Sequence, residues 1–167
     1  LMVYTMVNLV IMRHGEAVAQ SSQDSQRQLN ARGEAEVGQM AQWLTQVYPQ
    51  FDYVLASPYV RTQQTAELML AQQGNTTQLQ TLPELVPDGD CHQVQLYVDA
   101  LLSQKPEARI LLVSHMPLVS FLVETFTKSG NTPIFDTASL ACIEYSAGGQ
   151  GSLLEKMTPA DLTLLRS

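Results

Sequence analysis

Positive charge is scarce in this chain: nine Lys and Arg stand against sixteen Asp and Glu in 167 residues, a formal net charge of −7. A broad nucleic-acid footprint needs the opposite balance, and an anionic bilayer would repel this surface, so neither is an expected partner. Cysteine is nearly absent. Cys91 and Cys142 lie far apart and fit no Cys-x-x-Cys pattern, which excludes a disulfide framework and a zinc ribbon and points to a reducing, cytoplasmic compartment. The most apolar later stretch, residues 110–123, is broken by Ser114, His115, Pro117 and Ser120 and is too short and too polar to span a bilayer. Residues 1–12 are apolar too, but lack the basic segment and small-residue cleavage site of a signal peptide. They read as the first strand, with residues 1–5 expected to be an addition ahead of a native start at Met6.

What remains is ordinary globular composition, 45 % hydrophobic and 15 % charged, expected to form one domain over residues 6–167. Residues 7–12 (VNLVIM) and 109–114 (RILLVS) are continuous apolar runs, as in strands buried on both faces of a parallel sheet. Helical periodicity fills the intervals. Residues 31–48 place Val37, Met40, Ala41, Leu44 and Val47 on one face behind an Asn30 cap. Tyr53–Ala56 reads as a short strand, and Ser57-Pro58 should open a helix running to Gln73. Residues 78–82 are a weak strand, Asp90 should cap a helix through Leu102, and Pro117 should open another to Thr127. Residues 138–145 and 152–157 flank a glycine-containing turn and read as a hairpin. The expected fold is therefore α/β, a three-layer α/β/α sandwich with a mostly parallel sheet and an antiparallel edge hairpin.

Two features resemble sites without supporting one. Cys91 and His92 are adjacent on a helix and point apart, while Asp88 and Asp90 suit a turn and a cap, so no metal site is expected. Gly148, Gly149 and Gly151 lack the strand-loop-helix order of a nucleotide fingerprint. No metal and no cofactor is expected.

The chemistry-bearing residues cluster at strand ends. Arg13-His14-Gly15 follows the first buried strand, at the end where open α/β sheets place their ligands. Ser57-Pro58-Tyr59-Val60-Arg61-Thr62-Gln63-Gln64-Thr65-Ala66 lies where the second strand turns into a helix, and Val113-Ser114-His115 ends another buried strand. Three strand ends thus deliver two arginines and two histidines to one sheet edge. In an acidic protein, such a local positive cluster suits one compact anion.

In this order and placement the motifs resemble the histidine phosphatase superfamily, with its phosphoglycerate mutase-like fold. Within it the chain is similar to the small SixA-type phosphohistidine phosphatases, through LVIMRHGEA, the Arg27–Gly33 stretch, SPYVRTQQTAE, PEL with PDGD, and LLVSHMPLVSFLV. Gln28 and Asn30 depart from the Pro and Thr expected after Arg27, which alters loop chemistry more than phosphate chemistry.

The resemblance implies a hydrolase in which His14 attacks phosphorus as neutral imidazole and forms a phosphohistidine intermediate that water hydrolyses. A transferring phosphoryl group spreads charge over its equatorial oxygens, and guanidinium forks match it, so Arg13 and Arg61 would be the oxyanion clamps. His115, protonated or donating a hydrogen bond, would hold a third oxygen. Arg27 would be a further phosphate contact, or else a solvated loop arginine. Glu84 lies where larger relatives carry an acid that protonates the leaving group.

A chain of this size leaves no room for the helical lid of those larger relatives. An open site encloses small metabolites poorly but can reach a phosphohistidine on another protein, such as a histidine-phosphotransfer domain of a two-component relay. The oligomeric state is open, with a monomer favoured. Two other readings stand beside this one: a phosphatase for small phosphate monoesters or other phosphoproteins, and a non-catalytic phospho-binding module.

Overall fold

The structure is a computed structural model that describes residues 7–48, 50–74, 77–128 and 132–165. The expected addition at residues 1–5 and start at Met6 lie outside them. In chain order the regular elements are β1 (Leu9–Arg13), α1 (Ala31–Val47), β2 (Tyr53–Ala56), α2 (Val60–Ala71), β3 (Leu79–Thr81), α3 (Cys91–Gln104), β4 (Ile110–Ser114), α4 (Leu118–Phe126), β5 (Leu140–Glu144), β6 (Ser152–Met157) and α5 (Pro159–Leu165). Short 3-10 turns occupy Asp24–Gln26 and Pro83–Leu85.

One six-stranded sheet orders the strands β3-β2-β4-β1-β5-β6. Its β3-β2, β2-β4 and β4-β1 pairs are parallel, and the β5-β6 hairpin joins β1 antiparallel, as the sequence leads one to expect. Successive strand residues point to opposite faces. On one face Val10, Met12, Val54, Ala56, Leu111 and Val113 pack with Val37, Met40 and Leu44 of α1 and Ala66 and Met69 of α2. On the other, Leu9, Ile11, Leu55, Ile110 and Leu112 meet Val94 and Val98 of α3 and Leu122 and Phe126 of α4. Burial on both faces is why β1 and β4 are unbroken apolar runs rather than alternating ones.

Register then sets the site. Met12 and Ala56 both pair with Val113 of β4, so the three strands run out at one level. The residues that follow, His14, Ser57 and His115, emerge together.

The structure departs from the sequence reading at several element ends. Ser57-Pro58 does not open α2: the helix begins at Val60, with Tyr59 as an N-cap that makes no side-chain bond. Ser57 Oγ does accept from the Tyr59 N–H at 3.3 Å and also lies 2.8 Å from His115 Nε2, but Tyr59 itself is extended, with ψ of 146°, so the helix cannot begin before it. The helix also stops at Ala71, short of Gln73, whose Oε1 accepts instead from the Phe51 N–H at 3.1 Å. α5 is a helix the periodicity did not reveal. A capping box builds it: Thr158 Oγ1 accepts from the Asp161 N–H at 3.0 Å, and Asp161 Oδ2 accepts from the Thr158 N–H at 3.1 Å. By contrast, Asn30 caps α1 through the Gly33 N–H at 2.8 Å and Asp90 caps α3 through the His92 N–H at 2.9 Å. Among the described residues no helix is long and apolar enough to cross a membrane.

Candidate active site

The backbone of His14 is held from both sides. Its N–H donates to Ser114 O at 3.0 Å and its carbonyl accepts from the Ala138 N–H at 2.9 Å. Ala138 reaches that position with φ of 63°, a left-handed conformation that costs a non-glycine residue strain of order 1 kcal/mol. Gly15 follows because of space: a Cβ there would lie 2.7 Å from Val37 Cγ2 and 3.1 Å from Gly33 O. Its N–H donates to Thr65 Oγ1 at 3.0 Å, which ties the loop after β1 to α2.

His14 is 7 % exposed. Its Nδ1 lies 2.7 Å from Gly15 O; a carbonyl can only accept, so Nδ1 carries the proton. Nε2 is left with its lone pair, and Arg61 Nε donates to it at 3.3 Å. Burial pushes the imidazole down to about 4, with the Gly15 hydrogen bond opposing and Arg61, Arg13 and Arg27 adding repulsion. At neutral pH the ring is uncharged, with Nε2 unprotonated.

Arg61, on the first turn of α2, is 4 % exposed and each of its three guanidinium nitrogens donates a hydrogen bond. Besides His14 it donates through one terminal nitrogen to Asp24 O at 2.7 Å and through the other to Asp24 Oδ2 at 3.1 Å. Its guanidinium carbon lies 4.9 Å from the centroid of the Tyr59 ring. Arg13, at the end of β1, donates to Phe135 O at 2.7 Å while its buried Nε has no hydrogen-bond partner among the described residues. Burial lowers its pKa and Asp136 opposes that, yet a guanidinium remains charged.

His115, 1 % exposed, closes the group. Its ring centroid is 5.2 Å from that of His14 and 4.8 Å from that of Tyr59. Burial first, then His14 and Arg61, push its pKa down to about 3, so of the two expected states the protonated one is not the resting form. Arg13, His14, Arg61 and His115 are therefore brought together as the strand ends suggest.

Arg27 sits at the rim. It donates to Asp24 Oδ1 at 2.9 Å and to Val18 O at 2.9 Å, so Asp24 bridges it to Arg61 and it is not a freely solvated loop residue. Beside Asp24 and Arg27, the residues Ala19, Gln20 and Ser21 line an open depression of about 720 Å³. Glu84 is not drawn into the group: among the described residues no hydrogen bond or ion pair joins its carboxyl to the four. Its turn is fastened nearby, through Ser114 Oγ donating to Leu85 O at 2.6 Å.

The sequence reading passed over Asp24, and it took Ser57 for a helix cap. Asp24 had a signal, standing three residues before Arg27 in a turn. Among the described residues no group of three or more His, Cys, Asp or Glu is placed to hold a metal ion. What the cluster offers is a neutral imidazole lone pair beside a buried guanidinium, Arg61, and a half-buried one, Arg13, an arrangement suited to a tetrahedral oxyanion.

Known proteins are similar to this chain in sequence and in fold. The sequence model of the histidine phosphatase superfamily (branch 1) matches residues 9–86. Phosphohistidine phosphatase SixA of Escherichia coli (strain K12) is 33 % identical over 161 residues, covering 96 % of this chain and 99 % of its own. A SixA homologue of Haemophilus influenzae (strain ATCC 51907 / DSM 11121 / KW20 / Rd) is 30 % identical over 162 residues, 92 % of this chain and 97 % of its own. The solved structure of the protein histidine phosphatase SixA complexed with tungstate superimposes with a TM-score of 0.88 at 34 % identity, covering 92 % of this chain and 98 % of that one.

Proposed function

The chain belongs to the histidine phosphatase superfamily, and from that footing we propose that it is a protein phosphohistidine phosphatase acting through a covalent intermediate on His14. The observation that carries the reading is the state of the His14 ring: neutral, its proton fixed on Nδ1 by Gly15 O, its Nε2 lone pair set against Arg61.

In this reading a phosphoryl group enters between Arg13, Arg61 and His115. His14 Nε2 attacks phosphorus in line, forming a P–N bond as the P–N bond to the substrate imidazole breaks. The departing imidazole keeps the proton it already carries near neutral pH, so it needs little acid catalysis. Water then attacks the phosphorylated His14, releasing inorganic phosphate and restoring the ring. Arg13 and Arg61 supply fixed positive charge where the equatorial oxygens gather negative charge. Arg27 adds a rim contact, and Glu84 is an accessory acid for poorer leaving groups only.

The open rim supports a protein-borne substrate. The connections that follow β2 and β4 at this edge are the short segments 57–59 and 115–117, and the longer segments 14–30, 82–90 and the approach to β5 border the site around them. A phosphohistidine on a partner's helix, as in a histidine-phosphotransfer domain, could reach such a site.

The test is direct. Wild-type enzyme is mixed with a ³²P-phosphohistidine protein and quenched in alkali, where a phosphohistidine survives, and the label is sought on the enzyme. Transient label, lost in His14→Ala together with turnover, is the expected result. Turnover without any labelled enzyme would overturn the covalent route, and neither label nor turnover, with the phosphohistidine protein still bound, would favour a binding module.

A further inference from the structure

We propose that Ser57 is a positioning residue that sets the tautomer of His115: its hydroxyl donates to Nε2, leaving the imidazole proton on Nδ1, where the N–H serves a phosphoryl oxygen. Only the last clause, the phosphoryl oxygen, rests on the phosphatase reading.

The inference comes from counting donors and acceptors around a buried hydroxyl. Ser57 is wholly buried at the end of β2 and its backbone is fixed. Its N–H donates to Val113 O at 3.2 Å, and its carbonyl accepts from Thr62 Oγ1 and from Gln63 Nε2, each at 2.9 Å. Its Oγ has two partners among the described residues: the Tyr59 N–H, which can only donate to it, at 3.3 Å, and His115 Nε2 at 2.8 Å. The hydroxyl has a single proton to give. Given to Nε2, it finds an acceptor, and every polar atom of Ser57 is then satisfied.

The other tautomer leaves more unmade. With the proton on His115 Nε2, Ser57 Oγ would accept twice and its own O–H would point at nothing. His115 Nδ1, which is buried and has no hydrogen-bond partner among the described residues, would become an orphaned acceptor as well. With the proton on Nδ1 the one unmet group is a donor, which an anion entering beside His14 can satisfy. Unmet buried polar groups are costly, so the first arrangement is preferred. Burial first, with His14 and Arg61 adding to it, keeps the ring neutral, which leaves it one proton whose position matters. The Tyr59 ring, edge-on at 4.8 Å, holds the imidazole plane.

The experiment begins on the unaltered protein, ¹⁵N-labelled at histidine. Long-range ¹H–¹⁵N correlation spectra at neutral pH should show His115 with Nδ1 protonated and Nε2 unprotonated, and tungstate should shift the Nδ1 signal. An Nε2-protonated ring in the unaltered protein would overturn the proposal with no variant needed. Ser57→Ala should let the Nε2-protonated form appear and lower kcat for a phosphohistidine protein roughly tenfold or more, as for a misdirected oxyanion donor. Ser57→Thr, which keeps the hydroxyl, should restore both tautomer and rate. A folded Ser57→Ala whose rate falls with the tautomer unchanged would show a merely structural role and sink the idea. Nδ1 protonation and a tungstate response without any turnover would instead count against the phosphatase reading and leave the role of Ser57 standing.

Discussion

Arg61 Nε donates to His14 Nε2 across 3.3 Å, so one guanidinium both repels a proton from the imidazole and marks the direction of its lone pair. A phosphoryl oxygen arriving at Arg61 is carried to the same side of the ring. Charge and geometry are thus supplied by one contact, and its consequences are measurable.

The first is titration. His14 should protonate near pH 4 rather than near its ordinary 6.5, because burial and then the arginines disfavour the cation. NMR titration of its ring resonances in the anion-free protein checks this. A midpoint above 6 would contradict the burial and contacts described.

The second is stability. In the unfolded chain both histidines protonate near 6.5, whereas in the folded protein His14 waits until about 4 and His115 until about 3. Between those values the unfolded state holds more protons, so stability should be level in this respect above 6.5 and fall as the pH drops toward 3. Urea midpoints measured on both sides of 6.5 should reveal the slope, and His14→Gln should make it shallower.

The third concerns the clamps. Arg13→Ala and Arg61→Ala should each lower kcat/KM by on the order of 10²-fold or more, as expected when a fixed charge at the transition state is lost. Steady-state kinetics on a phosphohistidine protein decide it, and an unchanged rate would remove that arginine from the site.

Asp24 yields the fourth. Its carboxylate is held below the usual range first by the Arg27 hydrogen bond and also by Arg61, and it occupies donors that an anion would use. Asp24→Asn should tighten tungstate inhibition roughly three- to tenfold by removing a competing charge at a solvent-screened position. It should also lower kcat, because Arg61 and Arg27 lose their common brace. Weaker tungstate binding would mean that the brace matters more than the competition.

Glu84 yields the fifth. Glu84→Gln should barely change dephosphorylation of a phosphohistidine protein and should strongly depress slow activity toward alkyl phosphates, whose alkoxide leaving group needs a proton. An equal large loss on both substrates would mark Glu84 as structural or the natural substrate as an ester.

The strands and their layering were legible because burial on two faces writes itself as unbroken apolar runs, and the site because Arg13, His14 and His115 adjoin such runs while Arg61 follows the short second strand in a recognisable motif. What escaped was set by contacts distant in sequence. Ser57 reads locally as a helix cap, and only the neighbouring end of β4, which brings His115 within 2.8 Å of its hydroxyl, redirects it. Asp24 stands 37 residues from Arg61, beyond any local periodicity. α5 was missed for another reason: it has 7 residues, too few for a helical stripe to register, although its Thr158-to-Asp161 capping box was in plain sight.

Three of the four central side chains lie at the ends of β1 and β4, the fourth, Arg61, stands on the first turn of α2 just beyond β2, and these three strands are adjacent, with neighbours on both sides in the sheet. Amides in such strands open to solvent only in the largest unfolding fluctuations, whereas the loop that carries Asp24 and Arg27 has no such anchorage. In hydrogen exchange the catalytic edge should therefore split in two: a slow half that surrenders its protons only when the whole molecule unfolds, and a fast rim that opens many times in between. Heating should abolish activity together with the sheet, while the grip on the outer edge of a substrate loosens earlier.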